Sequence, residues 1–429
     1  MLTLYRIFTF LVYYITLPYT FISFLFGSRK WEQRLGFRNC PAAGDDKRVI
    51  WMHASSMGEV KVLSILADQL LELDKDIRFC ITVMTAAGFK SAEHCMGGKV
   101  TVGYFPLDYF SPIKRFLDRT NPSAAIFIET EIWPNMVMQL GKRDVPVFLA
   151  NGRLSERATR RYRRVRQGLR YVFAHYSRIM VQTEGDRQRY LTIGAGSEII
   201  DVLGSLKFDA PLIQVPPEKK TALRKSLPFN THTRIVTAGS TREGENEIIL
   251  QLFARLYNDV PDIRLILVPR HLDHIEDICR KAEEYQLEYA LYSKRTEQNS
   301  DRTVLIVDAM GILNDLYAVS DIAFVGGTLV DIGGHNILEP VWAGIPVLYG
   351  PSIFNVGDGS EYILENNFGA MVQDGEELYH QLVNFFDKKV EYRRRTIESK
   401  ELSRTYRTAR IILNGIGSNG KHLAHHNKS

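Results

Sequence analysis

Short apolar runs recur along this chain, each closed by a turn and followed by a stretch whose apolar residues fall three or four positions apart. Runs at 48–52, 77–84, 100–105, 124–128, 145–149 and 179–182 have the length of buried strands. Behind the first of them, Val62, Leu63, Leu66, Leu70 and Leu71 make one face of a helix. Strict alternation of strand and helix predicts a parallel, doubly wound sheet, because a parallel pair needs a crossover and a helix supplies it. The segment 209–218, DAPLIQVPPE, breaks the rhythm with three prolines and reads as a linker. Alternation then resumes with runs at 234–238, 264–268, 303–307, 321–325 and 345–348. A chain of 429 residues is too long for one core. Two α/β domains of the same architecture are therefore expected, at 45–210 and 218–414, with a flexible polar tail at 415–429.

The first 28 residues stand outside this alternation. Positions 7–26 carry no charge, and only Thr, Ser, Tyr and Pro18 interrupt the apolar run, which is long enough to cross a bilayer as a helix. Residues 1–28 are expected to be an N-terminal membrane anchor. Arg29, Lys30, Arg34 and Arg38 follow directly, and the positive-inside rule then leaves the body of the protein on the cytoplasmic face. A cleaved signal peptide fits less well, since the apolar core is long and no small-x-small site follows. A helix lying in the interface is the other open reading.

Composition adds three points. With 45% hydrophobic and 24% charged residues, the chain is globular and not disordered. The net charge of +5 is unevenly spread: eight arginines and a single acid, Glu156, lie between 153 and 170. Arg153, Arg157, Arg160, Arg161 and Arg164 keep helical spacing and make one basic face. A solvated face is the default reading of such a run. For a tethered protein, anionic lipid is a nearer partner than nucleic acid, each surface cation contributing about 1 kcal/mol there. Cys40, Cys80, Cys95 and Cys279 are far apart without a CxxC pair, so neither a zinc site nor a disulfide framework is expected.

Doubly wound sheets bind ligands beyond the carboxyl ends of their strands, and the chemically unusual residues of this chain fall there. HASSMGE, 53–59, sets Ser56 and Glu59 three apart at a helix start, which suits a capping box or a catalytic carboxylate. ETEIWPN brings Glu129 and Glu131 to the end of the fourth run. Ser240 and Glu243 repeat the S-x-x-E spacing and read as a cap. Arg270 and His271 finish an aliphatic strand with two cation-capable donors, suited to phosphate or to a surface pair with Asp273 or Glu276. The stretch 325–355, VGGTLVDIGGHNILEPVWAGIPVLYGPSIFN, reads as a strand end, a Gly-rich loop, a helix from about Asn336 to near Gly344, and a strand. Glycines let backbone approach a ligand, and a helix start offers free N–H groups and a positive dipole end, the requirements of a phosphate. Glu339 would reach a ribose hydroxyl pair or simply cap with Asn336. No DxD-like pair ends a strand, so no metal site is expected.

The blocks WMHASSMGEV, IETEIWPN, NGRLSERA, AGSTREGEN, LVPRH and FVGGTLVDIGGHNILEPVWAGIPVLYGP cover most of 49–354 in this order. Together they resemble the 3-deoxy-D-manno-octulosonic acid (Kdo) transferases of lipopolysaccharide synthesis. The resemblance implies two Rossmann-like domains of the glycosyltransferase B type with an N-terminal membrane helix, at the cytoplasmic face of a bacterial inner membrane. It implies transfer of Kdo from CMP-Kdo to a hydroxyl of a lipid A precursor, lipid IVA, by single displacement, with no cofactor and no metal. On that pattern Glu59 is the general base and Glu129 helps position acceptor or base. Ser240, Arg270 and His271 meet the CMP phosphate, and Gly311 lines the cytidine pocket. Gly334, His335 and Asn336 present donors at a helix start, and Glu339 holds the ribose. Ser56, Arg153, Arg157, Arg160 and Arg161 face the acceptor and its lipid phosphates, and nucleic acid is no partner. One departure stands out: where the family continues MGEL, this chain has Met310, Gly311, Ile312 and Leu313. Two other classes are compatible with the residues alone, a UDP-sugar epimerase of the same two-domain type and a non-catalytic membrane-bound nucleotide sensor.

Overall fold

A computed structural model describes residues 29–37, 47–96, 100–210, 212, 215–230, 232–294, 301–396 and 403–426, together with Phe10, Ile15 and Pro18. The expected anchor at 1–28 otherwise lies outside the described residues. Among those described, no helix is long and apolar enough to cross a membrane.

The chain divides into two compact units, one of 1–210 and 398–429, the other of 211–397. In the first, seven strands form one parallel sheet: β1 (Arg48–Ala54), β2 (Ile77–Val83), β3 (Thr101–Tyr104), β4 (Ala124–Ile128), β5 (Val147–Gly152), β6 (Tyr176–Val181) and β7 (Ile200–Val202). Their order is β3-β2-β1-β4-β5-β6-β7, so the winding reverses between β1 and β4. A parallel sheet covered on both faces needs apolar side chains in both directions, and β1 shows it. Ile50, Met52 and Ala54 enter one core while Trp51, against Phe105, Phe116 and Phe127, enters the other.

The second unit repeats the plan with β8 (Arg234–Thr241), β9 (Ile263–Pro269), β10 (Tyr289–Leu291), β11 (Val304–Ile306), β12 (Ile322–Val325), β13 (Val347–Tyr349) and β14 (Gly369–Met371). The order is β10-β11-β9-β8-β12-β13-β14, and the reversal falls between β8 and β12. The proline-rich linker read at 209–218 contains the first crossing between units.

Four features differ from expectation. The stretch beyond 414 is not a loose tail, because a helix, Arg404–His426, runs through it. Its Ala409, Ile412 and Ile416 join the first unit's core, and Asp209 holds its start through Arg404 and the Thr405 amide (2.6 Å). The chain therefore returns to the first unit after 397, and the stretch 404–414 belongs there and not to the second domain. The helix after the Gly-rich loop is a single turn, Glu339–Trp342, with Pro340 at its start. The arginine run is broken into two helices, Glu156–Arg163 and Arg166–Phe173, instead of one continuous face. Finally, Cys80, buried in β2, is disulfide-bonded, a pairing that spacing along the chain does not reveal.

Candidate functional site

In the first unit the residues gather where the sheet reverses, beyond β1 and β4. Ser56 is the N-cap of the helix Met57–Leu73, accepting the Glu59 amide at 3.3 Å. Glu59 replies with both oxygens: Oε1 accepts the Ser56 hydroxyl (3.0 Å) and Oε2 the Ser55 amide (2.7 Å). The capping box exists, but it leaves Glu59 half-buried with lone pairs unused. Burial chiefly, and then the neighbouring charges of Glu131 and Glu129, push its carboxyl above the usual range, against the lowering effect of the Ser55 and Ser56 bonds.

Glu131, on the adjacent strand's loop, behaves oppositely. Its Oε1 accepts the Ser55 hydroxyl and its Oε2 the Trp133 indole N–H, both at 2.6 Å. His53 Nε2 faces it at 3.5 Å, and His53 Nδ1 donates to the Thr82 carbonyl at 2.9 Å. Burial raises its pKa, but His53 and the two hydrogen bonds outweigh this, and the carboxyl sits below its ordinary range. Two carboxylates pushed in opposite directions around one serine suit a proton acceptor beside a permanent anion.

Glu129 stands at the end of β4 as expected, but makes no hydrogen bond to the Ser55–Glu59 loop among the described residues. Its Oε1 meets Lys207 Nζ at 3.1 Å and Asn151 Nδ2 at 3.3 Å, and it is Glu131 that joins the Ser55–Glu59 loop. Glu129 and Asn151 both hold left-handed backbones, φ 64° and 57°, at the ends of β4 and β5, and Ser240 does the same in β8 at 56°. Non-glycine residues held this way cluster where function has use for them. All eight arginines between 153 and 170 are exposed, together with Val165 and Tyr171. Arg153 precedes the first of the two helices, and its carbonyl accepts the Thr130 hydroxyl (2.5 Å).

In the second unit a cavity of about 330 Å³ opens beyond β8, β9 and β12. It brings together Ser240, Arg270, Gly311, His335, Asn336 and Glu339. His271 lines an adjoining cavity of about 500 Å³. Gly334 lies in the supporting loop with φ +84°, where an added Cβ would stand 2.8 Å from Val356. The expected backbone donors are partly spent: the Gly334 amide donates to Gly327 (2.7 Å) and that of His335 to Gly326 (3.4 Å). With one helical turn behind them, a dipole adds little. Asn336 donates its side-chain N–H to Glu339 at 3.2 Å, so the bland pairing of these two is present within the cavity. His335 Nε2 accepts from Arg242 Nε at 3.0 Å. Burial first, then Arg242, Arg270 and His271, lower its pKa to about 4.

The expected Ser240–Glu243 cap is absent, and a different acid does the tying. Glu245, fully buried in the first turn of Glu245–Asp259, accepts four backbone amides. Oε2 takes those of Arg242 (2.9 Å) and Gly327 (2.6 Å), and Oε1 those of Thr328 (3.0 Å) and Leu329 (2.9 Å). Gly326 must be glycine for this approach, since a Cβ there would lie 2.5 Å from the Thr241 backbone. Sequence places Glu131 at a strand end without giving it a role, and it points to Glu245, Lys207 and Asn151 not at all, although Glu245 lies within the AGSTREGEN block.

Two doubly wound units with polar clusters at their reversal points resemble glycosyltransferases of the B type. The solved structure of a UDP-GlcNAc 2-epimerase from Neisseria meningitidis, bound to UDP-GlcNAc, shares that fold, with a TM-score of 0.54 over 86% of this chain and 100% of that one. At 11% identity the likeness is one of fold alone. Sequence is more specific. Residues 29–210 match the family described as 3-deoxy-D-manno-octulosonic-acid transferase (kdotransferase). A 3-deoxy-D-manno-octulosonic acid transferase of Haemophilus influenzae is 33% identical over 76% of this chain and 77% of its own. A bifunctional glycosyltransferase/methyltransferase of Fusobacterium nucleatum is 35% identical over 80% of this chain, which spans about half, 53%, of that relative's length. The chain belongs to the Kdo transferase family.

Proposed function

We propose that the chain moves Kdo from CMP-Kdo to a hydroxyl of a lipid A precursor such as lipid IVA, by single displacement, with Glu59 as general base. The opposed carboxyls carry this reading: Glu59 has its proton affinity raised beside Glu131, whose charge is secured. The acceptor oxygen attacks carbon 2 of Kdo as its bond to the CMP phosphate breaks. The hydroxyl proton passes to Glu59, and the bonding pair leaves on the phosphate. The CMP phosphate is assigned to Arg270, with Ser240, His271 and the Asn336 side chain near it, while Gly311 and Glu339 bound the nucleoside. Glu129, paired with Lys207, positions the acceptor together with Ser56. The exposed arginines, Arg153, Arg157, Arg160 and Arg161 among them, suit lipid phosphates and an anionic bilayer. The uncharged stretch 7–26 would anchor the chain at the cytoplasmic face of an inner membrane.

The test is Glu59→Gln assayed with CMP-Kdo and lipid IVA, products being weighed by mass spectrometry. The variant is expected to bind CMP as the parent does and to transfer less than about one hundredth as fast. Normal turnover would remove Glu59 from the role of base. Failure of the parent to transfer at all would remove the reaction.

A further inference from the structure

Arg242 has no part in the roles assigned so far, yet both its backbone and its guanidinium are held in place. Its amide is held by Glu245 (2.9 Å), and its carbonyl accepts the amides of Glu245 and Asn246 (3.1 and 3.2 Å). Its half-buried guanidinium lies between two imidazoles, Nε donating to His335 Nε2 at 3.0 Å and Nη1 to His271 Nε2 at 2.6 Å. Both ring nitrogens accept, so neither carries a proton or a countercharge. Among the described residues no carboxylate pairs with this guanidinium, and its remaining N–H donors are unspent. It stands where two cavities meet: His335 lines the nucleotide pocket of about 330 Å³, and Arg242 with His271 lines the adjoining space of about 500 Å³.

The two cavities thus hold two guanidiniums without a carboxylate partner among the described residues, Arg270 in the pocket and Arg242 beside it. A nucleoside monophosphate ester brings one negative phosphate, which Arg270 matches. Arg242 then lacks an anion unless the sugar carries its own. A ulosonic acid does, as a carboxylate on the same carbon that bears the phosphate ester. A planar fork of N–H donors suits that carboxylate.

We infer that Arg242, steadied by His271 and His335, is the receptor for the carboxylate of the transferred sugar and selects acidic sugar donors over neutral ones. This deepens the donor reading proposed above and rests on it. It also gives the two histidines a purpose: they hold a guanidinium in place without quenching its charge.

The full chain is titrated calorimetrically with a non-hydrolysable analogue of CMP-Kdo, carbon replacing the ester oxygen, and with the same analogue as its C1 carboxamide. The parent is expected to prefer the carboxylate by about tenfold or more. Arg242→Gln brings that ratio close to one, Arg242→Lys leaves it intermediate, and Arg270→Gln weakens both ligands while keeping the ratio. The carboxamide serves as the folding control for each variant. A parent ratio near one, or a ratio that Arg242→Gln and Arg242→Lys leave unchanged, overturns the assignment of Arg242 alone. A parent that binds neither analogue overturns the donor reading and this inference with it.

Discussion

Replacing Glu245 with glutamine tests how the second unit's site is held. The substitution keeps shape and volume but turns one of two acceptor oxygens into a donor. Each oxygen serves two amides, so two of the four N–H groups lose their acceptor and face an N–H₂. A buried amide left without a partner costs about 1–3 kcal/mol, so the pair costs about 2–6 kcal/mol. Relief of charge desolvation works the other way, but that charge already sits in four amide dipoles, so the net loss stays near the lower figure. Even about 2 kcal/mol is a large share of what holds a domain of this size.

Because the chain has two units, a single melting temperature mixes their transitions. Hydrogen exchange read by mass spectrometry is local and avoids this. In Glu245→Gln the amides of Gly327, Thr328 and Leu329 should exchange about 30-fold faster, the equivalent of about 2 kcal/mol. CMP affinity should fall as well, since Gly334 and His335 hang from Gly327 and Gly326. Glu245→Asp should not rescue either property, because its shorter carboxylate cannot reach both loops at once. Exchange at 327–329 within twofold of the parent, with CMP binding intact, would refute the reasoning.

Three further outcomes follow from the same observations. Glu59 has a folded pKa above its unfolded value, so its charged form is penalised; relative to Glu59→Gln, parent stability should decline as pH rises from the ordinary carboxyl range through the raised pKa, then level off. Denaturation midpoints of both proteins against pH check this, and a parent that gains on the variant with rising pH would have the sign wrong. His335 should stay neutral until about pH 4, so its ring NMR signals titrate there and the Arg242 contact survives at pH 5; an ordinary imidazole midpoint, near 6.5, sinks that account. Changing Arg157, Arg160 and Arg161 together to glutamine should weaken binding to anionic vesicles by about 100-fold, at about 1 kcal/mol each, with a shallower dependence on salt, and equal binding by parent and variant would dismiss the basic face as a lipid contact.

Sequence pattern was enough for the alternation, the linker and the strands at the centre of each sheet. Three strands escaped it, β7, β10 and β14, all three residues long and all at sheet edges. An edge strand is paired on one side only and needs no long apolar run, so it leaves little periodicity to read. The returning helix Arg404–His426 was missed for a different reason: its apolar residues, Ala409, Ile411, Ile412, Leu413 and Ile416, form one short cluster followed by a polar stretch, and they pack into a core whose strands lie far earlier in the chain. The glycine loop and Arg270 were legible because strand ends of such sheets are where ligands bind. Their supports were not. Ser55 meets Glu131 across 76 residues, and Glu245 meets Thr328 across 83. No local rule reaches that far, and the same S-x-x-E spacing that marks a cap at Ser56 marks none at Ser240.

The two units show why spacing alone could not separate the proposed base, Glu59, from the brace, Glu245. Each follows the central strand at its reversal point with a loop and a helix whose first turn carries a glutamate, Glu59 after β1 and Glu245 after β8. Each accepts backbone N–H groups. Glu59 receives one amide and one hydroxyl, is half-buried, and has neighbouring carboxylates that raise its appetite for a proton. Glu245 receives four amides and has no exposure, so every lone pair directed at a donor is already engaged. A carboxylate saturated by four donors is a poor base and a strong tether, whereas one with two donors and a nearby anion is the reverse. The chemistry of each position is therefore set by how many amides the opposite loop brings to it. In the second unit that loop is the glycine-rich Gly326–Leu329; in the first, the loop after β4 brings Glu131 instead of amides. On the proposed reading the donor-binding unit uses the rigid version and the proton-accepting unit the underbonded one, and the same strand–loop–helix frame supplies both.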